Sequence, residues 1–446
     1  MNHPPHPRAS ALRRSATLAA VAAGLTLVPS AAASPDNTTI PRATPTNLET
    51  VLAWYDTTNA AVGTWASAGN TQVTASRTWA TAWSAADEAI TEFSKVRGKR
   101  AKGDAGARRI ALARAVHDVL ITFVPAIKDR ADQQLFLTQQ SAGGGEGVKL
   151  ADQLARKAAE RWVASRAFDG LDVDAVNVPF TPPAAAPGVW QPTLPAFGGA
   201  VQAGQGKGRP FVDPQVAKQV APEPPAIDSE QVIADLTEID RLGGTSPSQT
   251  ANRGANRTRI ARFWSQSSVG AFTTILRQIV LGEGLSLSAQ VHLLSVFHRV
   301  TTDVQIATYA SKYKYLRWRP VTALRTDDGN PNTPYDPTFT PLINTPAHPE
   351  YPSGHVAYAT AAERVFKALI RPIPEGAINV TSPVLPGTVI SYLNWDTITD
   401  DNVNARVWSG IHLRSTDNIT RTWATKLAKQ ELRELGENAS SKTLAP

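Results

Sequence analysis

The chain has 446 residues, 42% of them hydrophobic, and a formal charge of +7 at neutral pH. That length allows two or three domains, or one large domain with an attached arm, and the hydrophobic fraction excludes a disordered chain. Basic residues are interspersed with acids. The one dense basic run, 97–109 (RGKRAKGDAGARR), lacks interleaved aromatic residues, so it reads as a solvated loop between helices and no nucleic-acid partner is expected.

Residues 1–33 read as an export leader. Arg8, Arg13 and Arg14 precede an apolar stretch over 16–28, and Ala31, Ala32 and Ala33 offer a small-residue cleavage site. Without its three arginines the rest of the chain stands at about +4. The apolar stretch is too short to span a bilayer and no later segment reaches the necessary length, so a secreted or periplasmic protein without a membrane anchor is expected. Cysteine is absent and Met1 is the sole methionine. Disulfides are therefore excluded. A chain without oxidisable sulfur suits a protein that releases an oxidant beside its own surface, although codon bias toward alanine, arginine and proline explains the composition about as well.

From 45 to 172 the chain is alanine-rich, with apolar residues at helical spacing such as Ile110, Ala113, Val116 and Leu120. Residues 34–177 thus read as an N-terminal helical region. A Pro/Gly-rich stretch, 178–227, cannot be helical and is too apolar for a free linker. It is expected to be an extended arm that pins Trp190, Phe197 and Phe211 into the surface. The remainder, 228–446, reads as the catalytic domain. Asp228 or Ser229 can cap a helix carrying Val232, Leu236 and Ile239 and ending at Gly243 and Gly244. A second helix is expected over about 258–280, and a long one from Ser286 or Ser288 towards Tyr309 and Lys312. Nothing alternates strictly over strand length. The fold class is mostly α, helical bundles with the active site in the core of the C-terminal one. His117, His292 and His298, on expected helices without partners at ligand spacing, read as core or boundary residues.

Three short segments carry chemistry. In KYKYLRWRP, Lys312 and Arg319 lie seven residues apart, two helical turns, and are expected to project from one face of a helix that Pro320 ends. Two cations aimed alike suit a multiply charged anion. In HPEYPSGH, a Ser353-Gly354 pair precedes a helix-like run over 356–370. A hydroxyl, free backbone N–H groups and the positive end of a helix dipole then form an anion cradle. His355 sits beside it with a side chain suited to proton transfer. In ARVWSGIHLRSTD, Arg406 can fork two hydrogen bonds onto an oxyanion. His412, past Gly410, can present a ring nitrogen to the anion's central atom, with Asp417 or Thr416 near enough to fix its tautomer.

Together these segments resemble the signature of the superfamily of vanadium-dependent haloperoxidases and type 2 phosphatidic acid phosphatases: Lys-x6-Arg-Pro, Pro-Ser-Gly-His and Arg-x5-His. The stretches KYKYLRWRPVTALR, TPAHPEYPSGH and ARVWSGIHLRS look like bacterial vanadium haloperoxidases beyond the signature positions. The likeness is strong after Asp228 and weak before Val178. It implies that Lys312, Arg319, Ser353, Gly354 and Arg406 hold the equatorial oxygens of vanadate, that His412 bonds the vanadium, and that His355 is the acid–base histidine. Lys312 is implied also to polarise bound peroxide. The implied cofactor is vanadate (V5+), with neither haem nor flavin, and the partners are hydrogen peroxide, a halide and an organic acceptor.

Two positions depart from the pattern. The serine expected before the third-segment arginine is Ala405, and the acid expected four residues after His412 is displaced by one, leaving Thr416 there and Asp417 next. Asp417 is accordingly the candidate support of His412. His348, seven residues before His355, occupies the place of a histidine in the family's bromoperoxidases, which implies a role at the halide or beside His355. Bromide is therefore the expected substrate, with chloride the second candidate. The same signature serves a secreted acid phosphatase, in which His412 is the covalent nucleophile and His355 protonates the leaving alkoxide. A silent relative that merely holds phosphate is a third reading.

Overall fold

The computed structural model describes residues 46–64, 71–98, 104–282, 284–370, 373 and 376–437. The leader at 1–33 and part of the basic run lie outside the described residues. The N-terminal region contains α1 (Asn47–Thr64), α2 (Gln72–Arg97), α3 (Ala105–Phe123), α4 (Lys128–Ala142), α5 (Glu146–Ser165) and the short α6 (Val173–Val176). The apolar spacing that marked 110–120 falls on α3, whose Ile110, Ala113, Val116 and Leu120 are buried. Arg108 and Arg109, counted with the basic loop, are already helical, because Asp104 caps α3 by accepting from Ala107 N at 3.0 Å.

After the arm come α7 (Glu230–Leu242), α8 (Pro247–Phe263), α9 (Ser268–Gly282), α10 (Leu287–Tyr315), α11 (Pro320–Arg325) and α12 (Gly354–Leu369). An antiparallel hairpin, β1 (Ile378–Thr381) and β2 (Val389–Tyr392), precedes α13 (Trp395–Trp408) and α14 (Arg414–Glu434). Ser229 caps α7 and Ser286 caps α10. The single helix expected over 258–280 is two, α8 and α9, separated at 264–267; α8 itself kinks at Gly254, where φ is +72°. The hairpin was not anticipated.

The mostly helical expectation holds. Helix α10 is the axis: it packs along α2 from the N-terminal region and along α12 and α14 from the C-terminal part. One hydrophobic cluster runs from Val51 through Trp79, Val116, Phe272, Phe297 and Tyr358 to Leu432, so residues on both sides of the arm share one core. A second cluster, with Leu236, Ile239, Trp318, Leu324 and Val407, joins α7, α11 and α13 beneath the site.

The arm is stitched to α10 and to the site loop. Trp190 is fully buried, with its backbone N donating to Leu316 O at 2.6 Å. The N–H groups of Phe211 and Val212 both donate to Asp303 on α10, at 2.7 Å each. Val201 N donates to Ala347 O at 2.9 Å. Phe211 is partly buried under Arg166. Phe197, expected to be pinned inward, is instead 65% exposed, because the chain turns there with a positive φ of 48°. No described helix is long and apolar enough to cross a membrane.

Candidate active site

The first segment does not lie on one helix. Helix α10 ends at Tyr315 because Leu316 takes a left-handed conformation, φ 49°, and its N–H closes on Lys312 O. Arg319 is extended and caps α11, and Pro320 opens α11 rather than ending α10, as its fixed φ and missing N–H allow at a first helical position. The bend still brings the two cations together. Lys312 Nζ donates to Pro349 O at 2.8 Å and Glu350 O at 2.9 Å, leaving a third N–H. Burial, and then Arg319, push this fully buried amine well below the usual lysine range, while Glu350 and Asp417 oppose the shift.

Arg319 is the hub. Its Nε donates to His348 O at 3.0 Å, Nη1 to Ile411 O at 2.9 Å and to His412 Nε2 at 3.2 Å, and Nη2 to His348 Nδ1 at 3.1 Å. Burial lowers it to about 10, so it stays a cation at neutral pH. A guanidinium can only donate, so the His412 nitrogen facing it is unprotonated. His412 must then carry its proton on Nδ1, which donates to Glu350 Oε1 at 2.9 Å. His348 Nδ1 lies between the Arg319 donor and the Pro349 carbonyl, 3.2 Å away, and its Nε2 is 3.3 Å from the Tyr309 hydroxyl.

Glu350 is the residue that sequence reasoning missed. It is fully buried, accepts Leu413 N at 3.0 Å on the same oxygen as His412, and accepts the Thr416 hydroxyl at 2.9 Å on the other. It therefore holds the His412 tautomer, with Thr416 acting through it. Asp417, assigned that task from sequence, makes no bond to His412; its neighbours are Glu350, Ser353, Arg406 and Arg414. On α14, position 417 lies about 100° round from 416, which alone reaches the Glu350 carboxylate. An acid inside the motif, three residues before Ser353, was the available signal.

Ser353 caps α12 without a side-chain capping bond; its backbone N donates to Thr420 Oγ1 at 3.0 Å and its buried Oγ has no partner among the described residues. A Cβ added at Gly354 would meet the Tyr309 ring at 3.8 Å, an ordinary contact, so the α12 N-terminus lies directly against Tyr309. Arg406, in the last turn of α13, donates to Trp264 O, while its buried Nε is unpartnered among the described residues. Burial lowers it to about 10. Gly410, φ +79°, packs against the Gly243 backbone, where a Cβ would come within 2.6 Å of Gly243 O, and this turn delivers His412. His355 Nε2 donates to Gln266 O at 3.1 Å, leaving Nδ1 as its acceptor. It is only partly buried, and desolvation followed by Arg406 lowers it to about 3.

The structure thus brings together Lys312, Arg319, His348, Glu350, Ser353, Gly354, Arg406 and His412, with His355 at the more exposed edge. Three cations, an unused hydroxyl, an unpartnered guanidinium nitrogen and a helix N-terminus fit a tetrahedral oxyanion. One unprotonated imidazole nitrogen, His412 Nε2, is offered to its centre. Among the described residues no cluster of three or more His, Asp or Glu side chains offers a bare cation site.

Residues 292–438 match the family model of the VCPO second helical-bundle domain. No curated protein sequence matches the chain. Among solved structures, the first bacterial vanadium-dependent iodoperoxidase superposes with a TM-score of 0.70 at 18% identity, covering 89% of this chain and 98% of that one. A holo-type bacterial vanadium-dependent chloroperoxidase gives 0.61 at 17%, covering 88% and 96%. An apo-type bacterial chloroperoxidase gives 0.62 at 17%, covering 80% and 92%. The chain therefore has the fold of the bacterial vanadium-dependent haloperoxidases, and its residues 292–438 match their VCPO second helical-bundle domain.

Proposed function

We propose that this protein is a secreted vanadate-dependent haloperoxidase that oxidises bromide with hydrogen peroxide. The observation that carries the reading is the line Glu350–His412–Arg319. It leaves the Nε2 lone pair of His412 unprotonated at the floor of a buried cationic cradle, as a ligand to an oxyanion's central atom must be. Lys312, Arg319 and Arg406 would neutralise vanadate, and the Ser353 hydroxyl and the first N–H groups of α12 would take its remaining oxygens. Bound vanadate supplies Lewis-acid activation of peroxide without a change in oxidation state.

The protein's own groups do the rest. Arg319 would give up its contact with His412 Nε2 and offer its donors to the oxygens of a bound anion. Glu350 keeps the proton on Nδ1. His355, with Nε2–H held by Gln266 O, takes or returns a proton at Nδ1 beside the cradle. His348, tied to Arg319 and Tyr309, lines the same space as a neutral ring, and its presence supports bromide as the halide. The absence of internal sulfur supports release of an oxidant.

The test is protein loaded with orthovanadate and assayed with peroxide and iodide, bromide or chloride in parallel, beside a phosphate monoester. Vanadate-dependent bromination that phosphate blocks and His412→Ala abolishes is the expected result. A phosphatase reading rests on the same Nε2, which can attack phosphorus; ester hydrolysis inhibited by vanadate would replace the oxidase. Neither activity would leave an oxyanion-binding protein.

A further inference from the structure

A cavity of about 1220 Å³ lies outside the cradle, between α1, the first turns of α2 and α9, α6 and the arm. Halide and peroxide need no such space; pockets that bury small organic molecules are typically about 300–1,000 Å³. Its walls include Val62, Ala75, Val173, Val201 and Val269, and Asp174 is the one charged side chain among the described residues that line it. Several of its amides are already used: Gln72 Oε1 accepts Ser268 N at 3.2 Å, and Asn177 accepts Gln202 N at 3.2 Å and donates to Val173 O at 3.0 Å. What remains free is largely aliphatic surface. An anionic guest meets no cation among the described residues there.

The cavity touches the catalytic loop at two places. Val201, which lines it, donates its N–H to Ala347 O at 2.9 Å, and Ala347 precedes His348. Ser267, also in the lining, follows Gln266, whose carbonyl holds His355 at 3.1 Å. At both places a residue lining the cavity is one chain neighbour or one backbone hydrogen bond away from the residues that adjoin His348 and His355. Val201 is 40% exposed, so the chamber opens to solvent beside the arm.

We propose that this chamber binds the organic acceptor, an uncharged, electron-rich aromatic molecule, and presents it to halogen leaving the cradle. The proposal rests on the haloperoxidase reading for its reaction, but the binding does not. A ring carbon donates an electron pair to the halogen of hypohalous acid, the O–halogen bond breaks as the C–halogen bond forms, and the ring proton leaves with the hydroxide as water. Apolar walls without cations suit a neutral ring, and the arm supplies one of those walls.

The experiment titrates 2-naphthol into the full chain by calorimetry and ligand-observed NMR at neutral pH, without vanadate, halide or peroxide. Gly270, on the exposed side of α9, has only Ser267 Cβ, 3.9 Å away, near an added Cβ, so Gly270→Phe fills the chamber without disturbing the helix. Ala75→Phe added to it fills the space from α2. Saturable binding by the wild type, at least tenfold weaker in Gly270→Phe and weaker again in the double variant, with bromide oxidation measured as tribromide unchanged, is the expected result. No saturable binding, equal binding by the variants, or a loss of bromide oxidation in step with affinity overturns the proposal. A wild type that binds in this pattern but oxidises no halide upholds the chamber as an organic site and overturns the haloperoxidase reading.

Discussion

Glu350 and Asp417 are both fully buried beside the cradle, yet their partners separate them. Glu350 answers three donors, from His412, Leu413 and Thr416. Glu350→Gln keeps the shape but sets an N–H₂ against one of those donors and frees the His412 tautomer, so vanadate affinity should fall about ten- to a hundredfold in a calorimetric titration. Unchanged affinity would remove Glu350 from this role. Neither Asp417 oxygen has a well-formed hydrogen bond among the described residues; burial, with Glu350, raises its carboxyl well above the usual range, and the Ser353 hydroxyl beside it opposes the shift. Its sign is opposite to that of a paired carboxylate. An acid whose folded pKa is raised costs stability above its unfolded value, near 4, and costs nothing below it. Asp417→Asn should therefore raise Tm by about 1–3 °C at pH 7.5, with the gain shrinking towards pH 4; a loss of Tm at pH 7.5 would contradict this. The cradle itself was legible because each of its side chains stands at a fixed offset within a short motif. Which acid supports His412 was not, since the link from residue 350 to residue 412 exists only once the loop before α12 folds across the turn at Gly410.

At the scale of elements, the long spacings were read well where a cap marked the start: Ser229 for α7, Ser286 for α10, Ser353 for α12. They were misread where a stop depended on backbone conformation. Leu316 carries no sequence mark of its left-handed φ, so the expected helix ran on to Pro320. The hairpin escaped because each strand has four residues and only Ile378 and Val380 alternate inward on β1. The arm was identified by composition, but its attachment lies in α10, where Asp303 is wholly buried and takes the N–H groups of Phe211 and Val212. Asp303→Ala would leave two donors without acceptors and should cost about 2 kcal/mol or more in urea denaturation. Cleavage within 196–212 in limited proteolysis should accelerate with it. An unchanged urea midpoint would show that the arm is held elsewhere.

Across the whole molecule, no disulfide closes the chain, and helices from both sides of the arm share one core around α10. The termini of that core are tied by charge as well as packing. His292, near the start of α10, was expected to be a plain boundary residue, but its Nδ1 meets Asp87 on α2 at 2.9 Å and its Nε2 meets Glu437 beyond α14 at 2.9 Å. Burial alone would lower its pKa; the bonds to Asp87 and Glu437 overcome this and raise it to about 10. A histidine raised by its partners is charged in the fold while neutral in the unfolded chain above its ordinary value near 6.5. Its contribution is thus full below pH 6.5 and is lost as the pH rises through about 10. With 31% of the side chain exposed, solvent and salt screen part of it. His292→Gln should therefore lower Tm most at pH 6 and progressively less up to pH 10, where variant and wild type should converge. Added salt at pH 6 should narrow the gap, because the clamp is an ion pair near the surface. A difference in Tm that is the same at pH 6 and pH 10 would mean that His292 holds α2, α10 and the end of the chain together by shape rather than by charge.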